Sequence, residues 1–75
     1  MNTRDLRKIL NQSLINPKKV PGIIKIILEQ NDPAYFETRA IELIHEARLG
    51  NYQEKMTNAI TLLAVARYHR DQNRT

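Results

Sequence analysis

The sequence predicts an all-α fold, a single small bundle of four helices. Proline or glycine interrupts the 75-residue chain at four points, at positions 16–17, 21–22, 32–33 and 50–51, and such pairs are typical of breaks between helices. The segments between the breaks repeat apolar residues at the spacing of one helix face. A chain of this length has room for one domain, to which we assign residues 1–75.

The first helix is predicted over residues 3–15. Thr3 is of a type favoured at the N-cap position, and the helix must end before Pro17 because the residue preceding a proline avoids the α conformation. The apolar side chains fall at i, i+3, i+4 and i+8, so they form one stripe. This stripe consists of Leu6, Ile9, Leu10 and Leu14.

The second helix is predicted over residues 21–30, with a buried strand as the alternative because the segment is rich in isoleucine. In a helix, Lys25 and Glu29 lie one turn apart on the side opposite the apolar residues. In a strand, Lys25 would share a face with Ile23 and Ile27, so the helix is favoured. The apolar side of this helix would consist of Val20, Ile23, Ile24, Ile27 and Leu28.

The third helix is predicted over residues 33–49. Asp32 as N-cap and Pro33 at the first helical position are a strong start signal. Gly50 ends the helix, since glycine is favoured just past the last turn. The core stripe of this helix is expected to consist of Phe36, Ala40, Leu43, Ile44 and Ala47.

The fourth helix is predicted over residues 51–72, with Asn51 as the cap and Glu54 three residues later, as in a capping box. Its main stripe would consist of Tyr52, Met56, Ala59, Leu63 and Ala66. We expect Leu63 to pack against the stripe of the third helix. Residues 59–66 are nevertheless apolar on every side of the helix, because Leu62 and Val65 lie off that stripe.

A helix that is apolar all round belongs inside a larger structure. A domain of this size buries only about 60% of the surface of its unfolded chain, and the sequence has no cysteine for a disulfide. We therefore expect a homodimer in which a second copy covers the surplus apolar surface. The interface residues predicted for it are Leu62, Val65, Ile26 and Ile41.

The charged residues are the second notable feature, with twelve basic against eight acidic residues and a net charge of +4. An up-down-up-down bundle would place the start of the first helix beside the end of the fourth. The basic contact surface predicted there consists of Arg4, Arg7, Lys8, Arg67, Arg70 and Arg74. It would suit an acidic protein or the phosphates of a nucleic acid. The alternative is a solvated surface, neutralised within the molecule by Asp5, Asp71 and the acidic face of the third helix.

Residue types that could support catalysis or metal binding are sparse. Glu42 and His45 form an E-x-x-H pair that could reach one metal ion, but the di-iron bundles that use such pairs need two of them. We therefore favour a solvated helix face for both residues. His69 lies near the end of the fourth helix, where a cation is favourable. The sequence shows no glycine-rich phosphate loop and no serine or threonine with a clear base partner, so we predict neither an enzyme nor a cofactor.

The turn at Gly50-Asn51-Tyr52 and the alanines that follow it resemble a tetratricopeptide-type or microtubule-interacting hairpin over about a third of the chain, although Lys55 replaces the usual small residue and no second repeat follows. The resemblance implies a binding scaffold. The leading hypothesis is a small interaction protein, such as an adaptor, regulator or inhibitor. The alternative is a basic nucleic-acid-binding regulator. The polar N-terminus and the lack of an apolar run of about 18 residues predict a cytoplasmic protein that neither spans nor binds a membrane.

Overall fold

A computed structural model describes residues 1–73 of the chain and leaves Arg74 and Thr75 outside the description. The helices are α1 (Thr3–Gln12), α2 (Pro21–Glu29), α3 (Pro33–Ala47) and α4 (Tyr52–Gln72), and a short 3-10 turn (Pro17–Lys19) precedes α2. The all-α prediction is confirmed, with 79% of the described residues helical and no strand among them. The preference for a helix over a strand in the isoleucine-rich segment is therefore correct.

The first helix is shorter than predicted and begins with a different cap. The side-chain oxygen of Asn2, not that of Thr3, accepts a hydrogen bond from the Asp5 amide at 2.8 Å. The helix ends at Gln12 in a Schellman turn, in which the Ile15 amide donates to the Leu10 carbonyl at 2.8 Å. Leu14 occupies the left-handed position of this turn, with φ of 56°.

The third and fourth helices form the hairpin that the sequence predicts. Asp32 caps α3 as expected, because its carboxylate accepts a hydrogen bond from the Ala34 amide at 3.0 Å. The turn between the helices uses two positive φ angles, 156° at Gly50 and 54° at Asn51. Asn51 makes no side-chain capping bond, so the predicted capping box is wrong and Asn51 serves the chain reversal instead.

The hydrophobic core lies between the α3–α4 hairpin and the two N-terminal helices. The largest fully buried apolar side chains come from all four helices and from the residue that precedes α2: Phe36, Leu10, Ile27, Leu62, Val20 and Val65. Leu63, in contrast, is 42% exposed, so its predicted place in the core is wrong. Ala59 and Ala66 are buried as expected, but they flank both Leu62 and Leu63, and residue spacing alone could not decide between the two.

Neighbouring helices run antiparallel around α4. The Tyr68 hydroxyl donates to the Asp5 carboxylate at 3.0 Å, which joins the end of α4 to the start of α1. Arg70 bonds to Glu37 and Lys55 bonds to Glu46, which join the two ends of α4 to the opposite ends of α3. The predicted meeting of the start of α1 with the end of α4 is thus confirmed.

Candidate protein interface

The solvent side of α4 carries a row of large apolar side chains. Tyr52 is 61% exposed and Leu63 is 42% exposed, and Met56 between them is partly buried. Residues at these intervals lie on one side of a helix. The row ends at Arg70, two turns beyond Leu63.

Two isoleucines of α3 extend this row sideways. The guanidinium of Arg70 donates from Nε to a carboxylate oxygen of Glu37 at 2.9 Å, and a second bond joins the same two groups. Ile41 and Ile44 follow Glu37 by one and two turns, so they lie on the same surface as the α4 row. Ile41 is 55% exposed and Ile44 is partly buried. We call this surface the open face, and it consists of Ile41, Ile44, Tyr52, Met56 and Leu63.

The predicted interface residues are only partly on this surface. Leu62 and Val65 are fully buried within the chain's own core, so the prediction that they project from it is wrong. Ile26 is partly buried and packs against that core. Ile41 is exposed on the open face. α4 does carry surplus apolar surface, as predicted. That surface includes Leu63, the next residue round the helix, instead of Leu62.

The two ends of the open face differ in charge. Glu37 lies at one end, where the hydrogen bond from Arg70 lowers the pKa of its carboxyl and keeps it ionised. Arg48 lies three turns along the same row of α3, near the hairpin turn, and its side chain is exposed. No ion pair involves Arg48 among residues 1–73. One end of the face therefore carries the Glu37–Arg70 ion pair, and the other carries a guanidinium without an ion pair among the described residues.

The other edge of the hairpin is polar. Glu46 accepts hydrogen bonds from Lys55 at 3.1 Å and from Arg39 at 3.0 Å, and these bonds lower the pKa of its carboxyl. Arg39 also bonds to Glu42 at 3.3 Å. Glu42 therefore pairs with a cation, while His45 is exposed. Within the described residues no group of three or more potential metal ligands comes together.

The residues of the predicted basic surface lie among carboxylates. Arg4, Arg7 and Lys8 are exposed on α1. Arg70 forms an ion pair with Glu37. Arg67 lies in a groove of about 330 Å³ that Tyr68 and Asp71 also line. Arg74 lies outside the described residues. The end of the bundle therefore mixes cations with the carboxylates of Asp5, Glu37 and Asp71, and it is not the uniform patch that the sequence suggested.

A larger groove, of about 760 Å³, runs between the C-terminal end of α1 and the first turns of α4. Leu14 and Ile60 line it and are 94% and 51% exposed. Lys18, Lys19 and Glu54 supply its charges. Sequence reasoning missed this groove because it placed Leu14 on the buried stripe of α1, whereas the Schellman turn carries Leu14 away from the helix.

His69 has a role different from the predicted surface cation. Its ring stacks on Phe36 with 5.6 Å between centroids and meets Tyr68 edge to face. Nε2 is buried and has no hydrogen-bond partner among the described groups. Burial lowers the pKa of this imidazole, and the positive N-terminal amine adds to the effect. A neutral ring is therefore part of the hairpin's packing.

Comparisons with protein-family models, with curated proteins and with solved structures find no match to this chain. None of the helices in the described part of the chain combines the length and the apolar character that a membrane crossing requires. The surfaces of the molecule itself therefore have to indicate its function.

Proposed function

We propose that this chain is a small, non-enzymatic interaction protein that docks through the open face, and that a second copy of the chain occupies that face. One observation carries the proposal. The open face brings apolar side chains of two packed helices to one side of the hairpin, and Ile41, Tyr52 and Leu63 stay exposed in the described part of the chain although the same helices bury a core on their other side. Exposed apolar patches of this kind mark protein contacts.

A second copy fits the open face because a two-fold axis brings identical patches together. Each apolar side chain that leaves water contributes up to about 1.5–3 kcal/mol when its burial is complete. The two-fold arrangement obtains this gain twice, once from each copy. A helix hairpin is also a flat, rigid surface, so little conformational entropy is lost when two copies meet.

The charges at the ends of the face support the same partner. A two-fold axis that lies in the plane of the contact and at right angles to α3 reverses the direction of α3 in the second copy. Arg48 of each copy then approaches Glu37 of the other. Arg48 has no other ion pair among the described residues, and Glu37 is ionised and only partly covered by Arg70. The pairing is complementary, and it would favour the antiparallel orientation over a parallel one.

The size of the face sets the expected strength. Tyr52, Ile41 and Leu63 are exposed by 61%, 55% and 42%, so part of each is already buried in the monomer. Two such patches make a small contact, of the class of weak and transient interfaces that bury less than about 1,200 Å². The dimer should therefore form and dissociate reversibly with concentration.

Sedimentation equilibrium tests the proposal with the wild type and the variants Leu63→Lys and Ile41→Lys. The wild-type mass should rise from 8.8 kDa towards twice that value as concentration increases. Both variants should stay at the monomer mass, because each places a charge in the middle of the apolar contact. Arg48→Glu should also weaken association, and the loss should be larger at low salt.

The matched control is Asn11→Lys, which adds the same charge at an exposed position of α1. It should associate like the wild type, and circular dichroism should show that all variants remain helical. A wild type that stays monomeric up to about 1 mM would contradict the proposal, since even weak specific contacts form at that concentration. Equal loss of association in Asn11→Lys would also contradict it.

Nucleic-acid binding is the second candidate function, and the exposure of Arg4, Arg7 and Lys8 supports it. None of the three forms an ion pair within residues 1–73. If duplex DNA is the partner, replacing all three by Gln should reduce the salt dependence of binding by about one unit per lost phosphate contact. Binding that does not change in these variants would exclude this surface as the contact.

A further inference from the structure

The groove between α1 and α4 is a second candidate binding site, separate from the open face. It measures about 760 Å³, and residues 13–19 form one wall and the first turns of α4 the other. Leu14 and Ile60 are its exposed apolar side chains, one on each wall, and Lys18 and Lys19 are its basic residues, on the same wall as Leu14. We propose that this groove binds an acidic amphipathic segment of a protein partner, with its apolar side chains against Leu14 and Ile60 and its carboxylates near the two lysines.

Leu14 is the first reason for this proposal. It occupies the left-handed position of the Schellman turn, with φ of 56°, where glycine is the usual residue because a side chain is unfavourable there. The leucine gains nothing in return from the core, since it is 94% exposed. Strained backbone conformations concentrate at ligand-binding sites and switch regions, and a contact across the groove would give this side chain such a role.

The charges of the groove indicate which kind of partner is complementary to it. Lys18 and Lys19 lie side by side in the 3-10 turn, and neither forms an ion pair among the described residues. Glu54 is the only acidic residue among the groove's lining residues, so the groove is basic on balance. A segment that combines leucine-like side chains with carboxylates matches both the apolar and the basic residues of the groove. A nucleic acid would match the lysines and would leave Leu14 and Ile60 without a partner.

Fluorescence anisotropy with a synthetic probe tests this site. The probe is a labelled amphipathic peptide of about four helical turns, with leucines on one side and glutamates on the other. The wild type should bind it more tightly than a peptide with lysine in place of glutamate or serine in place of leucine. Leu14→Gly should weaken binding about tenfold, equivalent to 1.4 kcal/mol, and the double variant Lys18→Gln/Lys19→Gln should weaken it and reduce its salt dependence.

Leu14→Gly separates binding from folding. Because glycine is favoured at the left-handed position, its thermal midpoint should equal or exceed that of the wild type while its affinity falls. Leu49→Ala and Lys25→Gln are matched controls, since both residues are exposed outside the groove, and both should bind the probe like the wild type. Leu63→Lys should also bind normally, so a failure of the dimer and a failure of this site can be told apart.

Four results would overturn the proposal. The first is no binding of the leucine–glutamate probe by the wild type at about millimolar concentration. The second is unchanged affinity in Leu14→Gly or in the double lysine variant. The third is complete displacement of the probe by a short duplex DNA, which would assign the groove to phosphate binding. A fall in the sedimentation mass of Leu14→Gly would likewise overturn it, because the groove would then belong to the contact between copies.

Discussion

The buried and the open sides of α4 are similar in composition and differ in what covers them. Leu62 and Val65 are completely buried, whereas Leu63 is 42% exposed and Met56 is partly exposed. The buried side contributes to the same cluster as α1, α2 and α3. The open side has no such cover among the described residues. In a helix that is apolar all round, the neighbouring helices thus decide which side is core and which remains available to a partner.

The largest expected effect separates two adjacent leucines. Leu62→Ala should lower the free energy of unfolding by about 2–5 kcal/mol, the range for a truncated core leucine. Leu63→Ala should lower it by less than about 0.5 kcal/mol when measured at concentrations where the chain is monomeric, because the position is a surface site there. Urea denaturation followed by circular dichroism measures both values.

Similar losses of unfolding free energy in Leu62→Ala and Leu63→Ala would show that the two sides of α4 do not differ in how well they are covered. A larger loss in Leu63→Ala would restore the arrangement that the sequence alone suggested. The slope of the urea transition should be the same in both proteins, since neither change alters the surface exposed on unfolding by much.

The second effect concerns pH and the buried side of α4. The pKa of His69 is lowered by burial in the folded state, so the unfolded chain binds this proton more readily. Stability should therefore be complete above the unfolded value of about 6.5 and should fall as pH decreases through the lower folded pKa. Glu37 and Glu46 also have lowered pKa values. Protonation of these two carboxylates should reduce the stability of the fold at more acidic pH, below about 4.5.

Variants of the two histidines isolate this effect. His69→Phe keeps an aromatic ring beside Phe36 and should remove the part of the fall in stability that begins below about pH 6.5. His45→Gln, at an exposed position, should keep it. Thermal midpoints across this pH range supply the measurement. An unchanged pH profile in His69→Phe would show that the ring is not held neutral by its surroundings.

The smallest effect on stability is expected on the open side. Tyr52→Ser should change the free energy of unfolding of the dilute protein by less than about 0.5 kcal/mol, because this side chain is 61% exposed. The same change should weaken self-association in sedimentation. A large loss of stability in the dilute protein would mean that Tyr52 supports the hairpin itself and would reduce the open face to its remaining members.

The sequence predicted the number and order of the helices because their limits are local features. Asp32 and Pro33 begin α3, and the glycine at position 50 permits the reversal into α4. The orientation of α4 about its axis was not predictable, since Ala59 and Ala66 fit either choice and leucines stand at both 62 and 63. The groove at Leu14 was not predictable either. A leucine in the left-handed conformation has no sequence signal, and the helical spacing placed it in the core.

The most direct test of the open face is a dilution series followed by amide chemical shifts in a nuclear magnetic resonance experiment. The contact between copies should make the shifts change with concentration on the solvent side of the hairpin, at Ile41, Arg48, Tyr52, Met56 and Leu63. Amides of α2 and of the outer side of α1 should stay constant. Shifts that do not depend on concentration, or that change mainly on α1 and α2, would contradict the assignment of the open face as the docking surface.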